Sequence, residues 1–388
     1  MKITYAKRIQ QLPPYLFAQI DAAKKKAVAE GKDVIDFGVG DPDLPTPRPI
    51  IEALYQGVLD AANHRYPMTR GLELLRKEIA HWYERRFGVL LDPVTEIHSL
   101  IGSKEGIAHA PLAFLNPGDV ALVPDPCYPP YRGGTLFAGG KSYLLPLLKE
   151  NHFLPDLNPI PSSVLRKAKI LFLNYPNNPT GAAAPLEFLE EVIHFAKKRR
   201  IIVCYDNAYS EVSYDGYNAP SFLQLKGAKE VGVEFHSFSK TYNMTGWRLG
   251  WVCGHPKIVE GIGIVKSNID SGVFQAVQLA GIAALKLGDS FLSETNRIYQ
   301  ERRDLLCEGL LKIGWKVTPP KSTFYVWVPV PQGKKSAPFA RELLEKHNIV
   351  VTPGIGFGPS GEGYVRFALT VPVERIRTAL SRLKSFQI

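Results

Sequence analysis

The chain alternates short apolar runs with longer segments whose apolar residues recur at three- and four-residue spacing. The short runs fall at 34–38, 120–123, 170–173, 201–205, 234–238 and 249–253. Runs this short and continuous, closed by turn residues, predict strands buried on both faces. Helices are predicted at 15–30 after Pro13-Pro14, at 49–62, at 71–87 and at 185–200; Leu75, Ile79, Trp82 and Tyr83 share one face of the third. Strand–helix alternation from about residue 45 to 270 predicts an α/β unit with a mostly parallel sheet between helices.

Beyond that unit the pattern changes. A long helix is predicted from near Phe274, then a strand at 324–330 and helices at 337–347 and 373–386. This tail reads as a smaller α+β unit against which the N-terminal segment packs. The expected division is 46–272 for the large unit, with 1–45 and 273–388 forming the small one. No Ser/Gly linker separates them, so a continuous helix is the expected boundary. At about 150 residues per domain, 388 residues suit two or three domains.

Composition narrows the function classes. With 45% hydrophobic and 22% charged residues the chain can bury a core, which excludes wholesale disorder. The longest stretch free of Asp, Glu, Lys and Arg, 170–186, holds Asn174, Gly181 and three prolines, unlike a membrane span. The N-terminus has no apolar signal core, so a cytoplasmic location is expected. Lys plus Arg number 47 against 37 Asp plus Glu, a net charge of +10. The basic residues are scattered apart from short clusters such as 24–26, 197–200 and 334–335, the first two of which read as solvated helix ends or faces. No nucleic-acid motif accompanies them. Cys127, Cys204, Cys253 and Cys307 stand singly and the nine His are dispersed, so free thiols and no metal site are expected.

Ligands of open parallel sheets lie beyond the carboxyl ends of the strands. Asn178 follows one predicted strand; Asp206 ends the next, with Tyr209 three residues on; Ser237, Ser239 and Lys240 follow a third, and Arg248 comes eight residues later. Taken singly each is ordinary: a surface lysine, a capping Asp, a turn-forming Asn-Asn-Pro-Thr-Gly. Their joint order is not. The segment 237–250, Ser-Phe-Ser-Lys-Thr-Tyr-Asn-Met-Thr-Gly-Trp-Arg-Leu-Gly, resembles the pyridoxal-phosphate lysine motif of class I/II aminotransferases of fold type I. Asn177 to Gly181 resembles the family's NPTG turn, Asp206 to Tyr209 its D-x-x-Y, and 365–368, Val-Arg-Phe-Ala, its C-terminal substrate-arginine segment. The four motifs are in register and the resemblance spans essentially the whole chain.

The resemblance implies a large domain with a mostly parallel seven-stranded sheet, a smaller α+β domain and a pyridoxal 5′-phosphate cofactor. Lys240 would form the Schiff base and then shuttle the substrate proton. Asp206 would hold the ring nitrogen protonated, making the ring an electron sink. Asn178 and Tyr209 would bond the ring oxygen, and Tyr128 would stack on the ring. Ser103 and Lys104 at a helix start, with Ser237, Ser239 and Arg248, would receive the phosphate. Arg366 would clamp the substrate carboxylate bidentately, and Gly40 would bring backbone against it. Tyr66 matches a tyrosine that reaches the neighbouring subunit's phosphate, which implies a homodimer with composite sites.

Residues 12–17 and 38–47 are similar to the LL-diaminopimelate aminotransferase group, which implies an LL-diaminopimelate/2-oxoglutarate pair in lysine and cell-wall synthesis. Tyr15 would approach the substrate, and Asn268 lies in a segment resembling the one that crosses from the partner chain. The better-known branch of that group has a glutamate where this chain has Thr69. Arg70 beside it could read a distal carboxylate or serve as a solvated turn residue. Aspartate or alanine transamination, a C–S or β-lyase and a cofactor-binding sensor remain open alternatives.

Overall fold

The computed structural model describes Met1, residues 3–12 and residues 16–384. A seven-stranded sheet organises the large unit: β2 (Ile97–Leu100), β3 (Val120–Asp125), β4 (Lys141–Pro146), β5 (Ala168–Asn174), β6 (Ile202–Asp206), β7 (Gly232–Ser237) and β8 (Gly250–Gly254). Their order is β2-β8-β7-β6-β5-β3-β4, and β8 runs against both its neighbours while the other pairs are parallel. Every residue of β2, β3, β7 and β8 is buried; β3, β7 and β8 overlap predicted runs, whereas β2, with His98 and Ser99 at its centre, matches no predicted run. One face packs Ile79, Trp82, Leu171, Val203 and Trp251; the other packs Ile107, Val123, Phe172, Phe235 and Val252.

A second core gathers Ile35 and Phe37 from the N-terminal segment with Leu306, Leu310, Val326, Phe339, Phe367 and Ile376. Around it lie β1 (Ile35–Asp36) parallel to β10 (Ile349–Val350), and the antiparallel set β11 (Thr352–Pro353), β12 (Tyr364–Ala368) and β9 (Tyr325–Pro329). Tyr209 and Val212, just past β6, also pack in this core. The turn after β6 therefore ties the two layers together.

One expectation fails. The helix expected to run unbroken from Phe274 is two helices, Gln275–Leu285 and Asp289–Lys312, parted at Gly288. Gly288 is extended, with φ −72° and ψ 172°, and Asp289 opens the next helix with a favourable charge. The first helix places Ala280, Ala284 and Leu285 in the large core, whereas Leu306 and Leu310 of the second join the small one. The change of core thus falls along the second helix, whose Phe291 still packs on the large core and whose Tyr299 joins the small one.

Candidate active site

The carboxyl ends of β5, β6 and β7 open on a cavity of about 620 Å³. It is lined by Ser103, Lys104, Tyr128, Asn178, Asp206, Tyr209, Ser237, Ser239, Lys240, Arg248 and Arg366, with the backbone of Gly38 to Gly40. Gly38 and Arg366, 328 positions apart, thus share one volume. Its size suits a small cofactor with a substrate.

At its floor, Asn174 and Asp206 are register partners at the ends of β5 and β6. Asn174 Nδ2 donates to Asp206 O at 2.8 Å, and its Oδ1 accepts from Asn178 N at 2.8 Å. Asn177 folds the next turn on itself, accepting from Thr180 N and Thr180 Oγ1. The Asn-rich segment is a turn because its side chains replace backbone partners. Asp206 Oδ2 accepts from Tyr131 Oη at 2.7 Å, whereas buried Oδ1 has no partner among the described residues. Burial raises the Asp206 pKa to about 6 against the opposing pull of Tyr131.

Lys240 follows β7 in the single helical turn Phe238–Thr241, capped by Ser237 Oγ accepting from Ser239 N at 3.1 Å. Its Nζ donates to Gly40 O at 2.9 Å. Burial first, then the Arg366 and Arg248 charges, lowers its pKa to about 8, while Asp41 opposes the shift. A useful neutral fraction is then available near neutral pH, as a nucleophilic amine requires.

An anion cradle forms the opposite end. Gly102 caps the helix Ser103–Phe114 with φ +72°, and an added Cβ there would coincide with the Arg248 guanidinium. Ser103, Lys104 and Arg248 line the cavity beside this helix N-terminus, a setting that suits an anion. Arg248 Nη1 also donates to Thr245 O at 2.8 Å.

The small unit supplies the third wall. Arg366 is 4% exposed; it donates to Asn178 Oδ1 at 2.7 Å and Gly38 O at 2.9 Å, and its Nε has no partner among the described residues. Its guanidinium lies 4.1 Å from the Tyr325 ring centre and 4.7 Å from that of Phe357. Tyr325 and Tyr209 share a hydroxyl hydrogen bond at 3.0 Å. A Cβ on Gly40 would collide with Tyr325 Oη, so glycine is required for the close approach.

Other predicted residues do not enter this chain's cavity. Tyr66 is 90% exposed on the outer surface. Asn268 is exposed and donates to Ile264 O at 2.8 Å. Tyr15 lies outside the described residues. Arg70 is a half-buried turn residue that donates to Ile97 O and Thr95 O and pins the turn. Tyr131, in a Pro- and Gly-rich stretch, and Tyr325, in an apolar run, escaped the sequence reading; only the fold brings their hydroxyls to Asp206 and Tyr209.

Comparison with known proteins agrees with this geometry. Residues 32–383 match the family model for aminotransferase class I and II. The chain is 56% identical over 379 residues to an LL-diaminopimelate aminotransferase of Moorella thermoacetica, covering 98% of this chain and 97% of the relative. It is 55% identical to one of Dehalococcoides mccartyi, covering 98% of each. Substrate-bound BacF from Bacillus subtilis superposes with a TM-score of 0.96 at 40% identity, covering 100% of this chain and 99% of BacF. A probable N-succinyldiaminopimelate aminotransferase from Thermus thermophilus superposes with a TM-score of 0.90 at 39% identity, covering 95% of this chain and 99% of that one. With its sheet, its strand-end lysine and its buried arginine in the family's order, the chain belongs to the class I and II aminotransferases.

Proposed function

We propose that this aminotransferase moves the α-amino group of LL-diaminopimelate to 2-oxoglutarate, with pyridoxal 5′-phosphate as its resident cofactor. One arrangement carries the reading: Lys240 Nζ, the unpartnered Asp206 Oδ1 and the Arg366 fork face one cavity. The substrate is carried by full-length similarity to the two relatives bearing that name.

The residues fit the cofactor. Lys240 would hold its aldehyde carbon, Asp206 Oδ1 its ring nitrogen, Asn178 and Tyr209 its ring oxygen, and Tyr128 its ring face. Ser103, Lys104, Ser237, Ser239 and Arg248 would hold its phosphate. When bound, the group supplies an electrophilic carbon and an electron-withdrawing ring. The protein does the rest. Asp206 keeps a negative charge in a dry site because Tyr131 offsets part of its desolvation. Arg366, already fixed by Asn178 and Gly38, fits the substrate α-carboxylate without reorganisation. The Lys240 amine would take the proton from the substrate α-carbon and hold it for return across the adjoining C–N–C unit.

The functional unit in this reading is a homodimer. Tyr66, Met68, Ile264 and Ile269 are 90%, 67%, 59% and 59% exposed, an apolar set suited to cover by a second copy. Tyr66 and Asn268 would then reach the neighbouring cavity. Thr69 supplies no carboxylate for a distal ammonium and Arg70 is occupied, so the far end of the substrate must be read by other groups.

Half-reactions with purified holoenzyme test the assignment. LL-diaminopimelate and glutamate should each bleach the visible cofactor absorption without an acceptor; aspartate, alanine and cystathionine should not. A response to aspartate or alanine but not to LL-diaminopimelate would refute the substrate. Pyruvate release from cystathionine would move the chain to the lyases.

A further inference from the structure

Lys266 has no exposed surface, yet it lies away from the cavity lining. It belongs to the last turn of the helix Pro256–Ser267, which packs against the helix Ser103–Phe114. Its Nζ donates to Glu105 Oε1 at 2.7 Å and to Asp270 Oδ1. The other Glu105 oxygen accepts from Ile101 N, at the entry to the anion cradle. Asp270 Oδ1 also accepts from Gly272 N at 2.9 Å, and Lys266 O accepts from the N–H groups of Ile269 and Asp270. One residue therefore pins the backbone before Gly102 and, from both ends, the turn after its own helix.

That turn bears on another segment. A Cβ added to Gly272 would lie 3.3 Å from Met68 O and 3.5 Å from Thr69 Cα. The 270–272 turn is thus seated on the loop that carries Tyr66. A buried ion set adds little net stability over a well-packed apolar side chain. What it adds is direction: an ammonium with fixed partners sets the relative position of three segments that an apolar contact would leave free to slide.

We propose that Lys266 is a positioning residue that locks the anion cradle of one subunit's site to the two surface segments, 66–69 and 268–272, that complete the neighbouring subunit's site. The inference rests on the cofactor and the homodimer read above. Its consequence is that phosphate grip and subunit assembly are coupled through one side chain that touches neither cofactor nor partner.

The test compares wild type, Lys266→Met, Lys266→Arg and Asp270→Asn as full-length, cofactor-depleted proteins. Each is titrated with pyridoxal 5′-phosphate and with pyridoxal, and its dimer dissociation is measured by sedimentation. For Lys266→Met the pyridoxal 5′-phosphate Kd and the dimer dissociation constant should each rise about tenfold or more, while the pyridoxal Kd stays within about twofold. Lys266→Arg should restore most of both, and Asp270→Asn, whose carboxylate is 22% exposed and so safer to alter, should loosen the dimer first. Equal losses for the two cofactor forms, or a weaker phosphate grip with unchanged assembly, would overturn the inference. A wild type that shows no preference for the phosphorylated form, or is monomeric, would overturn the underlying reading with it.

Discussion

Asp206 is held at an energetic loss that function requires, and replacing it by asparagine exposes that loss. In the folded, cofactor-free protein its pKa is raised from 3.8 to about 6, because burial disfavours the carboxylate more than Tyr131 favours it. Between the unfolded and folded values the native state binds the extra proton, so native stability falls as pH rises through that window. At about 1.36 kcal/mol per pH unit the full penalty is roughly 3 kcal/mol, present once pH exceeds about 6. The amide introduced by Asp206→Asn would carry no such penalty, and its carbonyl can still accept from Tyr131. Urea unfolding of the cofactor-free pair should therefore show the variant gaining on wild type by about 1.4 kcal/mol between about pH 5 and pH 8. Groups common to both proteins cancel in the difference. The same variant should slow the amino-acid half-reaction on the order of a hundredfold or more, having lost the charge that would face the ring nitrogen. A stability difference that does not change with pH, or an unimpaired half-reaction, would refute this account of Asp206.

Other outcomes follow from neighbouring residues. Covalent uptake of pyridoxal 5′-phosphate by the cofactor-free enzyme should accelerate with pH and level off above about 8, where Lys240 is neutral, and Lys240→Ala should stay folded with no covalent uptake; stopped-flow absorbance reads both. Arg366→Lys should raise the amino-acid KM by about tenfold, since one ammonium cannot replace the planar fork; unchanged KM and kcat would remove Arg366 from the site. Gly40→Ala should displace Tyr325 from Tyr209 and Arg366, lowering kcat/KM by about tenfold with little change in Tm, and normal kinetics would show that Tyr325 yields freely.

Local signals made much of this protein legible from its residues. The apolar runs at 170–173 and 201–205 became β5 and β6 because a strand covered on both faces has no polar side to disguise it. Lys240, Asp206 and Asn178, each ordinary alone, were recognisable because their motifs stand in the order of a known family, and their common cavity was implied by strand ends in a parallel sheet. Periodicity failed where a glycine broke a continuous helical pattern at residue 288. Tertiary structure alone decided the partners of these groups. Nothing near Tyr131 marks it as the donor to Asp206, 75 residues away, and nothing near Tyr325 marks it as the neighbour of Tyr209 and Arg366. The same holds for Lys266, whose charge reads as an ordinary helix end until burial removes the water and leaves Glu105 and Asp270 as its partners. Sequence spacing carries what the backbone does over a few residues. The pKa of a carboxylate, the seat of a guanidinium and the value of a buried ammonium depend on which distant atoms exclude water around them, and that is settled only when the layers close.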